Sequence, residues 1–248
     1  MRISTKQIAL GVLLLLLMGY LCGTIVWSAH RINSTRCVQM EIVIIDSLER
    51  SYVSCAELEN LLVRQGLYPV GQTLHDVCTQ EIEDAITAHP MVRKAQCYTT
   101  PFGTVEVRLT QRVPIMRVVT EGESYFVDAD RLQMPIRESV TTPVLLAVGA
   151  INPRMACHEL ADMALWIKHE AYWSERIASI HVTNPRYVYL VQKPDETKII
   201  LGDLTNYKGK LRKLHRLYTK GFEQIGWRTY KEIDLRYRGQ VIGRKTED

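Results

Sequence analysis

The sequence predicts an α+β protein in three parts: one N-terminal transmembrane helix, a small domain of order strand-helix-helix-strand-strand, and a larger mixed α/β domain with an antiparallel sheet. Three observations lead there. Residues Ile8 to Ala29 carry no charge. Between Cys37 and Arg112, two stretches of helical periodicity are bracketed by stretches of strand character. From Val113 to Gly243, short strand-like stretches recur and are interrupted by two helical ones.

The first stretch, IALGVLLLLLMGYLCGTIVWSA, is 22 residues long. At about 1.5 Å per residue this spans a hydrocarbon core of about 30 Å with room for tilt. Trp27 stands at its outer end, where an indole prefers the headgroup level. A cleaved signal peptide has a shorter apolar core, about 7 to 15 residues, although Val26-Trp27-Ser28 is a tolerable cleavage triplet. A lipoprotein signal wants small residues before its cysteine, and Cys22 follows Tyr20 and Leu21. A buried soluble helix would show a polar face. Length and lack of charge favour an uncleaved anchor. Arg2 and Lys6 before the span nearly balance Arg31 and Arg36 after it, so charge alone does not orient it. Seven residues cannot form a domain, however. The expectation is a cytoplasmic tail at 1–7, a span at 8–29, a linker at 30–36 and the functional mass outside the cytoplasm.

The whole chain of 248 residues is 46% hydrophobic and 23% charged, which is ordinary globular composition apart from the anchor. A net charge of +4 is too mild to signal nucleic-acid binding. The six cysteines, Cys22, Cys37, Cys55, Cys78, Cys97 and Cys157, show no C-x-x-C spacing. A zinc site is therefore not expected, and no disulfide is assigned.

In the first soluble segment, VQMEIVIID from Val38 reads as a strand. Ser54 three residues before Glu57 is a capping box, and Leu58, Leu61 and Leu62 form the helical face that follows. Gly66 and Pro69 end that helix. Ile82, Ala85 and Ile86 mark a second, stopped by His89-Pro90 because the residue before proline avoids the α region. Strands at Val92–Tyr98 and Thr104–Arg112 flank a turn at Pro101, Phe102 and Gly103. Val105, Val107 and Leu109 alternate with Glu106, Arg108 and Thr110, so one face is buried and one is wet. This order resembles a POTRA domain. So does the phrasing of Pro90, Val92 and Ala95, followed by Val105, Val107, Arg112 and Pro114. The resemblance implies partner recognition along an open sheet edge; the plainer reading is a spacer.

In the second segment, Ile115–Val119 and Ser124–Asp128 predict a hairpin about Glu121-Gly122-Glu123. Asp128-Ala129-Asp130 lacks the ligand count and glycine of a calcium loop and is expected to be a solvated turn. Pro143–Val148 is a short apolar strand. Asn152-Pro153 opens a helix whose buried face is Leu160, Met163, Ala164 and Ile167. Strands are expected at Ile177–Val182, Arg186–Val191 and Lys198–Leu201. A helix over Thr205–Lys220 ends at Gly221 and buries Tyr207, Leu211, Leu214 and Tyr218. Its basic residues Lys208, Lys210, Arg212, Lys213, Arg216 and Lys220 read as a solvated face. The sharper alternative is contact with anionic headgroups or an acidic partner. Lys231–Arg238 alternates as a strand, and Gly239–Gly243 is the last strand before a tail at 244–248.

No G-x-S-x-G, H-E-x-x-H, P-loop or G-x-G-x-x-G occurs, and none of the seven histidines has metal-ligand spacing to another. No catalytic, cofactor-binding or metal-binding residue is proposed.

The apolar span, YFVDADRLQMP, PVLLAVG and above all Ile233-Asp234-Leu235-Arg236-Tyr237 before GQVI resemble the FtsQ/DivIB cell-division family. That family commonly has Asp-x-x-Gly after the aromatic strand, where this chain has Asp128-Ala129-Asp130-Arg131. The resemblance implies a bitopic bacterial inner-membrane protein with a POTRA domain at 37–112 and a β domain at 113–243 in the periplasm, enriched at the septum. It implies a non-enzymatic scaffold joining FtsB-like and FtsL-like coiled-coil partners to septal peptidoglycan synthesis. The alternative is a membrane-anchored periplasmic enzyme or binding protein. The resemblance also makes the final strand the place where an FtsB-like partner adds a strand. Candidate contacts are Arg236, Tyr237, Gly239, Gln240, Val241, Ile242 and Gly243. Tyr237 would be the anchor, Arg236 would meet an acidic partner residue, and Gly239 would allow close backbone approach. The plainer reading is that Tyr237 and Ile242 close the β core.

Overall fold

The computed structural model describes residues 13–24, 35–45, 52–136, 142–220 and 230–245. Residues 13–24 form helix α1, whose side chains are exposed. Among the described residues no helix is long and apolar enough to cross a membrane. Residues 8–12 and 25–29 of the predicted span, and the predicted helix stop at Gly221, lie outside the described residues.

The chain divides into two compact units, Met1–Arg112 and Val113–Asp248. In the first, β1 (Gln39–Ile44), α2 (Cys55–Gln65), α3 (Thr79–Thr87), β2 (Val92–Thr99) and β3 (Thr104–Gln111) follow in the expected order. The sheet order is β1-β3-β2, with β1 parallel and β2 antiparallel to β3. Ser54 caps α2 by accepting from the Glu57 amide at 3.2 Å, a contact of about 1 kcal/mol. Gly66 closes the helix at φ 72°, a conformation that glycine adopts without strain. Leu58, Leu62, Ile82 and Ile86 from the helices and Val105, Val107 and Leu109 from β3 are all buried. All six cysteines are free thiols. Burial, helped by the charges of Glu83 and Cys37, pushes Cys97 up to about 12, so it sits in the core as a neutral hydrophobe.

Among its described residues the second unit forms one nine-stranded sheet of order β12-β11-β10-β9-β8-β7-β4-β5-β6. Its strands are β4 (Pro114–Val119), β5 (Ser124–Asp128), β6 (Gln133–Pro135), β7 (Leu145–Gly149), β8 (Ile177–Asn184), β9 (Tyr187–Gln192), β10 (Lys198–Gly202), β11 (Tyr230–Asp234) and β12 (Ile242–Lys245). The expectation of an antiparallel sheet is corrected: β4 and β7, β7 and β8, and β10 and β11 pair in parallel. Parallel neighbours need a crossover, usually helical. Between β7 and β8 run α4 (Pro153–Met155), a π-helical turn (Ala156–Leu160), α5 (Ala161–His169) and α6 (Ala171–Ser174). Between β10 and β11 runs α7 (Tyr207–Lys220). Asn152 Oδ1 accepts from the Met155 amide at 2.8 Å, and Pro153 takes the first helical position, as the sequence predicts.

These helices and the sheet share one core. Leu160, Met163, Ala164 and Ile167 bury with Leu211 and Leu214 against Val118, Ala147, Ile180, Val188, Leu190, Ile199 and Ile233. Each buried side chain of this size contributes about 1.5–3 kcal/mol. Inside that core Tyr218 Oη donates to Gln192 Oε1 at 2.9 Å, so neither polar group is left unpaired.

The turn after β5 also departs from expectation. Asp128 is buried at 2% exposure rather than solvated. Its Oδ1 accepts from the Leu132 amide at 2.8 Å, and its carbonyl accepts from the Arg131 amide at 3.1 Å. A side chain that bonds its own turn in this way need not reach water. Arg131, standing where the resembling family commonly has glycine, takes φ 65°. A side chain at such an angle costs about 1–2 kcal/mol. Its guanidinium reaches Asp162 Oδ1 on α5 at 2.7 Å, but both side chains are about half exposed, at 47% and 48%, so screening leaves the pair little value. Arg131→Gly should therefore hold or raise stability by up to about 1 kcal/mol, whereas Arg131→Val should lower it by about 1–2 kcal/mol, because β-branching adds to the strain. Thermal unfolding of the two variants beside the parent checks both signs.

Candidate partner-binding edge

The predicted site falls on the last hairpin of the second unit, and its geometry differs from a continuous strand. β11 ends at Asp234 rather than Arg238, and β12 begins at Ile242 rather than Gly239. The intervening residues turn. Leu235 is buried, and its amide still bonds the Ile200 carbonyl at 2.9 Å, so the chain leaves the sheet only after it. Gly239 sits at φ 79° with open space where a Cβ would stand. Its positive φ alone accounts for a glycine in this turn.

Charge pairing drives the departure from β11. The Arg236 guanidinium folds back onto Asp234, with Nη2 donating to Oδ2 at 2.6 Å and Nε to Oδ1 at 3.0 Å. The Arg236 amide also donates to Asp234 Oδ1 at 3.0 Å. Burial pushes the Asp234 carboxyl up, but these bonds outweigh it and the net position is below the usual carboxylate range. Arg236 is thus paired within the loop while its side chain stays 42% exposed, so an acidic partner residue would meet an ion pair there and not a lone cation. Gly202 makes room for its stem: a Cβ there would lie 2.8 Å from Arg236 Cγ.

α7 fixes the far end of the turn. Lys213 Nζ donates to the Tyr237 carbonyl at 3.1 Å and to the Gln240 carbonyl at 2.7 Å. No local pattern marks this role, since Lys213 is one of six basic residues on the helix and lies 24 and 27 positions from its acceptors.

β12 is the last strand of the sheet among the described residues, pairing antiparallel with β11 through Asp234 and Ile242, Ile233 and Gly243, Glu232 and Arg244. All four of its residues are exposed. Gly243 passes over the Tyr230 ring so closely that a Cβ would meet it at 2.6 Å. Tyr237 is 48% exposed and Ile242 42%, so neither closes the core. Gln240 is exposed and Val241 partly buried against the core cluster. The hairpin thus gathers Tyr237, Ile242 and the free edge of β12, while Arg236 pairs with Asp234 and Val241 packs against the core.

A concavity of about 580 Å³ opens between α5 and α7 and is lined by Glu159, Asp162, Trp166, His169, Tyr207 and Lys208 among others. Trp166 and Tyr207 meet edge to face at 5.8 Å, and Asp162 is already paired with Arg131. Among the described residues no three His, Cys, Asp or Glu side chains gather to hold a metal ion.

A strand-helix-helix-strand-strand unit followed by a mixed sheet with an exposed terminal hairpin defines a two-domain protein of POTRA-plus-β type. Residues 35–110 match the family model for a POTRA-like domain. Residues 113–244 match the model described as FtsQ/DivIB, C-terminal related, and the chain belongs to that family. A similar relative is the Cell division protein FtsQ of Rhodothermus marinus, 24% identical over 187 residues, covering 71% of this chain and 68% of the relative.

The Asp234–Arg236 pair predicts a pH dependence. A carboxyl held below its unfolded value of about 3.9 adds stability above that pH, and the contribution is lost as pH falls through the folded value. The 235–241 turn should stay ordered at pH 5 and loosen only in strong acid. Arg236→Ala leaves burial without its counter-charge, so Asp234 should titrate at higher pH than in the parent. Carboxyl NMR shifts of Asp234 against pH check this, and an unmoved titration would contradict the assigned cause.

Proposed function

We propose that the protein is a single-pass, non-enzymatic scaffold of the bacterial division machinery, and that a partner strand adds to the edge of β12. The observation that carries this reading is the terminal strand: β12 closes the sheet order, is exposed along its whole length, and has the exposed Tyr237 and Ile242 at its entry. A sheet edge presents unpaired N–H and C=O groups, and strand addition takes affinity from them while alternate side chains set register. Tyr237 supplies a large ring with a polar tip, the kind of group that dominates interfaces. Family membership and the relative named for cell division support the setting. In this reading the partners are FtsB-like and FtsL-like coiled-coil proteins, and their recruitment governs septal peptidoglycan synthesis. Residues 8–29 anchor the chain in the inner membrane, residues 1–7 lie in the cytoplasm, and the POTRA domain (37–112), β domain (113–243) and tail (244–248) lie in the periplasm.

Two experiments test this. Tyr237→Ala and Ile242→Asp alter exposed side chains and should leave circular dichroism and unfolding unchanged. Tyr237→Ala should weaken co-purification with the coiled-coil partner by about 2 kcal/mol, roughly thirtyfold. A proline at Lys245 should weaken pairing by removing an N–H on the free side of β12. Folded variants that bind as tightly as the parent would move the docking site elsewhere. For topology, protease added to spheroplasts should digest the chain beyond the span. Full protection of the C-terminal part, or a mature protein starting near Ser28, would refute the anchor.

A further inference from the structure

The structure divides the basic residues of α7 into two kinds. Lys210 Nζ donates to the Leu201 carbonyl at 2.8 Å, the Asp203 carbonyl at 3.1 Å and Asp203 Oδ1 at 2.8 Å. Lys213 holds the Tyr237 and Gln240 carbonyls. Both cations are used inside the fold. Lys208, Arg212, Arg216 and Lys220 are exposed and recur at intervals of four, about 6 Å apart along the axis. α7 contains no Asp or Glu. Lys208 shares the α5–α7 cleft with Glu159 and Asp162. Arg212, Arg216 and Lys220 have no ion-pair partner among the described residues. Like charges at this spacing disfavour a helix, so the stripe opposes the element that carries it.

Its position narrows what it fits. Lys213, next to Arg212 in sequence, bonds the turn that leads into β12, so α7 is tied to the end of that hairpin. No large apolar side chain is exposed on α7. Contact there is therefore electrostatic, without an inserted anchor. We propose that Arg212, Arg216 and Lys220 form the docking surface for an acidic polypeptide segment, carried by the same partner whose strand adds to β12; the proposal rests on that strand-addition reading. Carboxylates spaced three or four apart on a partner helix match the interval of the stripe. Such a contact speeds encounter and weakens steeply with salt, while the β12 edge supplies register. An anionic bilayer offers the same charge, but continuity with the β12 turn favours a polypeptide.

The test uses the full chain in cells, with benzoylphenylalanine at Arg216 and, separately, at Ile242. Both positions should capture the same polypeptide, and the peptide joined at 216 should be rich in Asp and Glu. The purified charge-reversed chain Arg212→Glu, Arg216→Glu, Lys220→Glu should bind that polypeptide at least about tenfold more weakly at about 50 mM salt and about equally at about 500 mM. The triple alanine variant should be intermediate, and both should keep the parental circular dichroism. An adduct at 242 but none at 216, or a lipid or neutral peptide at 216, would overturn the stripe and leave strand addition standing. An acidic adduct at 216 with none at 242 would overturn the shared partner and count against strand addition itself.

Discussion

Burial of one face of the nine-stranded sheet by α5 and α7 is the constraint on which the second unit depends. Leu211 and Leu214 of α7 and Met163, Ala164 and Ile167 of α5 join the same cluster as Ile180, Leu190 and Ile199 of the central strands. A helix that must return across the sheet to bury its stripe delivers the chain to a strand parallel to the one it left. That is why β7 and β8, and β10 and β11, are parallel although most of the other pairings are hairpins.

The same packing places the candidate site. α7 is anchored through Tyr218 and Gln192 in the core, and its Lys213 then holds two carbonyls of the turn between β11 and β12. Asp234 and Arg236 fix the other side of that turn. The hairpin is therefore held from within by buried or half-buried charges, while Tyr237, Ile242 and the β12 edge face outward. Preorganisation of this kind reduces the ordering cost a partner must meet on binding.

Local features were legible where local chemistry decides them. The Ser54 cap, the Asn152-Pro153 helix start and the strand-helix-helix-strand-strand order of the first unit all appear in the structure. Each depends on residues close in sequence. The buried faces of α5 and α7 were legible for the same reason, since a spacing of three and four fixes which side chains share a side. β6 escaped notice because its three residues, Gln133–Pro135, are too short to show alternation. β11 ends earlier than its alternation suggests, because Asp234, Leu235, Arg236 and Tyr237 keep a period of two past the point where the chain turns.

The two units, their helices, the family resemblance and the region that holds the candidate edge are legible in the amino-acid sequence, because caps, periodicity and short motifs act over a few residues. Tertiary structure alone decided the parallel pairings, the burial of Asp128, the commitment of Arg236 to Asp234 and the hold of Lys213 on Tyr237 and Gln240. Most of these are choices among partners of similar chemistry. Six basic residues on one helix look alike in sequence, and only packing brings Lys210 and Lys213 to carbonyl acceptors while leaving Arg212, Arg216 and Lys220 in solvent.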